Sequence, residues 1–192
     1  MVFFRSGMIA GLVALSGCTT TPDPTFYLLP IPEASATAPF SGGTIAVREI
    51  ALPLYARAQQ VASLSEDGSV FLSDDHRWAD EPARASTRTF VSALKQNTKA
   101  PIVAEPWPAS VNPAVRVDVT VDRFIGDLRG GTLEFSGQFR IVYSSEDGTR
   151  QDSFAYRIPI DGTGYKSLAA AHSDAIATLA KDIAAQINGA GS

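Results

Sequence analysis

Cysteine is almost missing from this chain: Cys18 is the one thiol in 192 residues, which excludes an intramolecular disulfide and any zinc site assembled from cysteines. Histidine is nearly as scarce, with only His76 and His172. Positive charge is in deficit, 16 Lys plus Arg against 20 Asp plus Glu for a net charge of −4, whereas nucleic-acid binding usually rests on a basic surplus. No Gly-rich phosphate loop, Gly-x-Ser-x-Gly elbow or His-Glu-x-x-His helix occurs, so the sequence signs of three common catalytic sites are lacking. What remains is an ordinary globular composition, 45% hydrophobic and 19% charged, at a length that suits one domain with its own hydrophobic core.

The N-terminal stretch has the three-part layout of a secretory signal: Arg5, an apolar run from Gly7 to Leu15, then Ser16-Gly17-Cys18. The run is about nine residues, too short for the roughly twenty that span a bilayer. It targets the chain and does not anchor it. Leu15-Ser16-Gly17-Cys18 resembles the lipobox of bacterial lipoproteins, cleaved just before a cysteine that already carries diacylglycerol. This resemblance implies a signal peptide over residues 1–17 and a mature chain starting at Cys18, with its only thiol consumed by a thioether. One acyl chain binds a membrane marginally, at ~0.8 kcal/mol per buried methylene, so the three chains expected of a mature lipoprotein imply a permanent anchor. The residue after the cysteine is Thr19 rather than the aspartate that commonly retains such proteins in the inner membrane, which resembles the outer-membrane default.

Residues 18–24 read as the lipidated cysteine and a polar, Pro-interrupted tether. Its six extended residues from Thr19 to Pro24 reach only ~20 Å, so the folded domain, residues 25–192, sits close to its membrane. A first short strand is expected from Thr25 to Leu29, a loop from Pro32 to Gly43, and a second strand marked by Ile45, Val47 and Ile50. Gln60 to Leu64 and Val70 to Leu72 suit a hairpin across Glu66-Asp67-Gly68, because Asp-Gly supplies the positive backbone angles of tight turns. Apolar positions 83, 90, 91 and 94 predict a helix over Glu81 to Asn97, with Asp80 as its cap and Pro82 in its first turn.

The clearest pattern follows. Val115, Val117, Val119 and Val121 alternate with polar residues, and the same period of two recurs from Leu133 to Tyr143 and from Phe154 to Ile160. Gly130-Gly131 and Asp147-Gly148 separate the runs, predicting an antiparallel meander covered on one face. Leu168, His172, Ile176, Leu179, Ile183 and Ile187 then mark the seam of a C-terminal helix ending at Asn188-Gly189. The expected fold is α+β, a single domain with a mainly antiparallel sheet and two helices packed on it.

Few residues carry chemistry. His172 lies on the apolar seam, as a half-buried, hydrogen-bonded core histidine would. Asp74-Asp75-His76 is the only local cluster with metal-ligand types, but neighbours in a strand point to opposite faces, so it converges only in a loop. No metal, cofactor or catalytic residue is assigned. Arg84, Arg88 and Lys95 suit a solvated helix face, or a site for an acidic partner. Trp107, between two prolines, and Trp78, just before the first helix, each read as a core staple or as a docking aromatic.

Three further stretches resemble the PqiC (YmbA)-type auxiliary lipoproteins of ABC-type lipid transport: Phe26-Tyr27-Leu28-Leu29-Pro30, Ile45 to Tyr55 continuing to Gln60-Val61, and Asp75-His76-Arg77-Trp78-Ala79. The last helix is also similar, and the likeness covers nearly the whole mature chain. It implies a non-enzymatic lipoprotein on the periplasmic face of the outer membrane, contributing to envelope integrity. It would work with an MCE (mammalian cell entry) protein and an inner-membrane permease and ATPase that move lipids between the membranes. Because MCE proteins form rings, a matching homo-oligomer is implied as well. Two other classes stay open at the level of sequence: a lipoprotein that assists outer-membrane β-barrel assembly, and a lipid-anchored hydrolase. Arg77 and Trp78 are the candidate partner contacts, in an acidic segment from Asp74 to Glu81 expected to form a loop.

Overall fold

The computed structural model describes residues 23–31, 43–98, 100–144 and 148–190. Cys18 and Thr19, most of the Pro32 to Gly43 loop, and Asp147 lie outside them. In chain order the elements are β1 (Thr25–Tyr27), β2 (Ile45–Val47), a 3-10 turn (Leu54–Arg57), β3 (Gln60–Leu64), β4 (Val70–Trp78), α1 (Pro82–Thr98), β5 (Ile102–Ala104), β6 (Val115–Asp127), β7 (Thr132–Tyr143), β8 (Thr149–Pro159) and α2 (Gly164–Ala190).

The meander is where the alternation placed it. β6 pairs antiparallel with β7 from Val115↔Tyr143 to Asp127↔Thr132, and β7 pairs antiparallel with β8 from Thr132↔Pro159 to Val142↔Thr149. The inward Val117, Phe135 and Ile141 are each at most 1% exposed, while Thr120, Gln138 and Arg140 face water. Between Val121 and Arg123 the register slips. This bulge resets the alternation, so Phe124 rather than Arg123 takes the inward position and joins the core.

The long β6 organises the rest of the sheet. Its start pairs with β2 and its Gly126 with Ser63 of β3, both in parallel, along the edge that β7 leaves free. β2 also pairs parallel with β5, and β1 parallel with the end of β4. Eight strands thus form one mixed sheet, antiparallel over most of its length.

The helices lie together on one face of this sheet and against each other. Phe90 and Leu94 of α1 and Leu168, Leu179, Ile183 and Ile187 of α2 are fully enclosed, each contributing about 1.5–3 kcal/mol through burial. Gly126 makes room for this packing, since a Cβ there would lie 2.2 Å from Leu168 Cδ1. The expected α+β domain with two helices on a largely antiparallel sheet is the observed one.

Several boundaries differ from expectation. β1 stops at Tyr27 instead of Leu29, because its partner β4 ends at Trp78, leaving Leu28 68% exposed. β2 stops at Val47, after which Ile50 N–H turns inward to Thr87 Oγ1 (2.9 Å) and Ala51 bridges to Thr120. The cap of α1 is Glu81, not Asp80: its carboxylate accepts the N–H groups of Ala83 (3.2 Å) and Arg84 (2.8 Å). The C-terminal helix runs on through Gly189 to Ala190. β5 has no counterpart in the sequence reading.

The expected loop from Asp74 to Glu81 is strand as far as Trp78. Its pairing is irregular, however. Gln60 faces Arg77 but Ala62 faces Leu72, so five steps along β4 oppose two along β3, and the excess bulges out around Asp74 and Asp75. Four acidic residues are held in a distorted strand edge and a helix cap, not in a free loop.

Candidate functional site

The end of β4, the start of α1 and the first half of α2 meet at the corner where β1 joins the sheet. Trp78 N–H donates to Gln59 O (2.7 Å) and Ala79 N–H to Tyr27 O (2.8 Å), fixing the strand between β3 and β1. From there the Trp78 indole turns inward, 6% exposed. It meets the His172 ring edge-on at 5.3 Å, and Phe124 lies 4.4 Å from the other side of that ring. Of the two expectations for Trp78, the structure therefore places it as the staple between sheet and helix. Burial is what an indole at this position gains by facing the seam of α2 rather than water.

Arg77, the other candidate contact, is only partly buried, and its Nε donates to Asp74 O (3.2 Å) across the bulge. Adjacent strand residues face opposite ways, so the two candidates do not share a surface. Next to them His76 accepts or donates a 3.0 Å hydrogen bond with Tyr27 Oη and stacks on Tyr165 at 4.0 Å. Asp74 and Asp75 remain exposed beside it. Among the described residues no three His, Cys, Asp or Glu side chains converge.

His172 is more enclosed than the half-buried residue expected. Its Nδ1–H donates to Leu168 O (2.8 Å), and burial pushes its pKa down from 6.5 to about 4. The ring is a neutral core group at pH 7. In a Ser-His-Asp arrangement Nδ1 is held by a carboxylate; here both histidines have that atom committed elsewhere, to a backbone carbonyl and to a phenol. Beneath Trp78, Leu52, Phe124 and His172 line an apolar crevice of about 10 Å³, no more than about one water requires and far too small for an acyl chain.

On α1, Arg84, Arg88 and Lys95 face solvent. Arg88 is engaged by Asp80, whose carboxyl is held below the usual range mainly by that bond. The open face of the meander has a denser charge array. Asp118 is flanked by Arg48 (3.3 Å) and Arg140 (2.8 Å), and Asp118 and Arg140 border a shallow polar depression of about 220 Å³ with Thr120 and Gln138. Trp107 is half-buried behind the cis Glu105–Pro106 bond.

One surface feature was not singled out from sequence. Val70, Phe71 and Leu72, at the tip of the β3–β4 hairpin, are 46%, 50% and 38% exposed. The signal was present as three consecutive apolar residues following Asp67-Gly68, where a half-buried strand alternates.

The model of the family described as ABC-type transport auxiliary lipoprotein component matches residues 27–184. A crystal structure of an uncharacterized protein superposes with a TM-score of 0.71 at 19% identity, over 86% of this chain and 99% of that one. A protein from Xanthomonas campestris gives 0.68 at 16% identity, over 87% and 96%. At these identities the likeness is one of fold. Comparison with curated proteins gives no match.

Proposed function

Because the chain belongs to the ABC-type transport auxiliary lipoprotein family, we propose that it is the outer-membrane lipoprotein of an MCE-type lipid transport system. It is lipidated at Cys18, left in the outer membrane by Thr19, and docked from the periplasm on an MCE protein served by an inner-membrane permease and ATPase. The match over residues 27–184 carries this reading, and the family is one of auxiliary transport components rather than enzymes.

The chemistry of the domain agrees with a docking role. Its crevice beneath Trp78 is too small for an acyl chain, and both histidines are engaged in ring packing and hydrogen bonds. Its charged surfaces include the open face around Arg48, Asp118 and Arg140 and the solvent side of α1. In this reading lipid travels through the partner, and the lipoprotein supplies the partner's seat at the membrane. With a tether of about six residues, reaching ~20 Å, it cannot cross the periplasm, so the partner must. Arg77, turned away from the core, is the proposed contact on the β4 side, while Trp78 supports it from within.

Two measurements test this. Cys18→Ala should leave a folded protein that no longer sediments with outer membranes after high-salt washing; retention of the substituted protein overturns the lipidation reading. Affinity purification of the intact chain from detergent-solubilised envelopes should recover an MCE protein. Recovery of a β-barrel assembly complex in its place overturns the transport assignment in favour of a barrel-assembly role.

A further inference from the structure

The β3–β4 hairpin projects three apolar side chains into solvent without a covering element. Its turn is well made: Gly68 takes φ of 81°, Ser65 N–H donates to Ser69 O (2.9 Å), and Asp67 Oδ1 accepts both the N–H and hydroxyl of Ser69 (3.0 and 2.6 Å). The carboxylate of Glu66 pairs with Arg129 at 2.7 Å. Both acidic groups at the tip therefore have partners within the protein. Val70, Phe71 and Leu72 have no comparable cover.

Two aspects of the geometry identify what covers them. The first is direction. β1 runs parallel to β4, with Thr25 beside His76, so the start of β1 faces the end of the sheet where the hairpin tip lies. Arg77 is level with Gln60, and Leu64 with Val70; four residues of β3 thus separate the β1 level from the tip, about 13 Å. Cys18 precedes Thr25 by seven residues, a reach of up to ~24 Å. The anchoring residue and the tip can stand at the same height above one plane.

The second is the distribution of the exposed groups. Successive strand residues point to opposite faces, so Val70 and Leu72 lie on one side of the ribbon and Phe71 on the other. A flat protein partner covers one face of such a ribbon. A fluid apolar medium surrounds both.

We propose that Val70, Phe71 and Leu72 enter the interfacial region of the bilayer that holds Cys18, making a second membrane contact that fixes the orientation of the domain. This rests on the reading of Cys18 as the lipidated residue. With Thr25 and the tip both near the membrane, the outer ends of β1 and β4, and with them Leu28 and the start of α1, point into the periplasm.

The test uses the full lipidated chain reconstituted in phosphatidylcholine–phosphatidylethanolamine vesicles. Because acylation occupies the native thiol, Phe71→Cys and, as a control on β8, Gln151→Cys each introduce one free thiol for an environment-sensitive fluorophore. Both sites are exposed, and equal thermal midpoints confirm that labelling spares the fold. At position 71 the emission should shift to the blue and fall about twofold with shallow spin-labelled lipid, as at a depth of roughly 5–10 Å, while position 151 responds to aqueous iodide alone. Co-flotation with vesicles but iodide quenching at 71 overturns the proposal and leaves the anchor intact. Shielding of 71 from both quenchers also overturns it, and assigns the tip to a second copy of the chain. Loss of co-flotation overturns the anchor and the contact together.

Discussion

Trp78 and His172 meet edge to face, their ring centroids 5.3 Å apart and their planes at 71°, so the last residue of β4 is locked to the first half of α2. This contact joins the end of β4 to the apolar seam of α2.

Trp78→Ala should therefore cost ~3 kcal/mol or more of folding free energy, as other large aromatic truncations in cores do. Arg77→Ala, with a partly exposed side chain, should change stability by less than about 0.5 kcal/mol. Urea denaturation of both variants measures the difference, and partner capture by folded Arg77→Ala measures its proposed contact role.

Stability should fall as pH drops from 6.5 toward 4. Burial keeps His172 neutral in the folded protein down to about 4, against 6.5 for the free group. Between these values the unfolded chain binds the extra proton, so folding loses on the order of 3 kcal/mol across the window, and no further loss accrues below it. Asp174, whose carboxyl is pushed up by burial and by Asp161, acts in the opposite sense and is present in both proteins compared. Unfolding free energies of the wild type and His172→Leu across this range should differ in slope; parallel curves would sink the assignment.

Glu81→Ala should destabilise the protein by about 1 kcal/mol through loss of the α1 cap, whereas Asp80→Ala, which removes a surface pair with Arg88 and an exposed hydrogen bond from the Glu81 N–H, should cost less. Thermal unfolding of the two single variants distinguishes cap from flanking residue.

Gly137→Ala should be more damaging than Gly126→Ala. A Cβ at 137 meets the Thr120 carbonyl oxygen at 2.2 Å and Val121 Cα at 2.9 Å, both backbone, whereas at 126 the nearest contact is the methyl end of Leu168. Strand backbone beside a bulge yields less than a rotatable methyl, so about 2 kcal/mol is expected at 137. Denaturant midpoints of the two variants provide the comparison.

The meander and the α2 seam were legible because their information is local: alternation from Val115 to Val121 and recurrence from Leu168 to Ile187 need no knowledge of a distant partner. The short parallel strands are different. β5 has three residues, too few to show a period, and β1, expected as a strand from Thr25, finds its partner about fifty residues away, where only the fold brings Thr25 beside His76. The candidate site divides the same way. Arg77 and Trp78 were recognisable as a pair in sequence, but their opposite orientations follow from strand geometry in β4. The acidic bulge at Asp74 and Asp75 reads as a loop by composition because charged residues favour water. It became a strand edge because the excess residues can face solvent while their neighbours keep β3 and β1 in register.

The parallel alignment of β1 with β4 also determines how the domain resists pulling. Tension applied toward the N-terminal end runs along the axis of β1, so the Thr25↔His76, Phe26↔Arg77 and Tyr27↔Trp78 pairs are sheared together instead of being peeled open one at a time. Ser173 Oγ, donating to Pro30 O at 2.6 Å, fastens the far side of the same segment to α2. Strain arriving from the N-terminal side is delivered to these seams and shared between sheet and helix before it reaches the core.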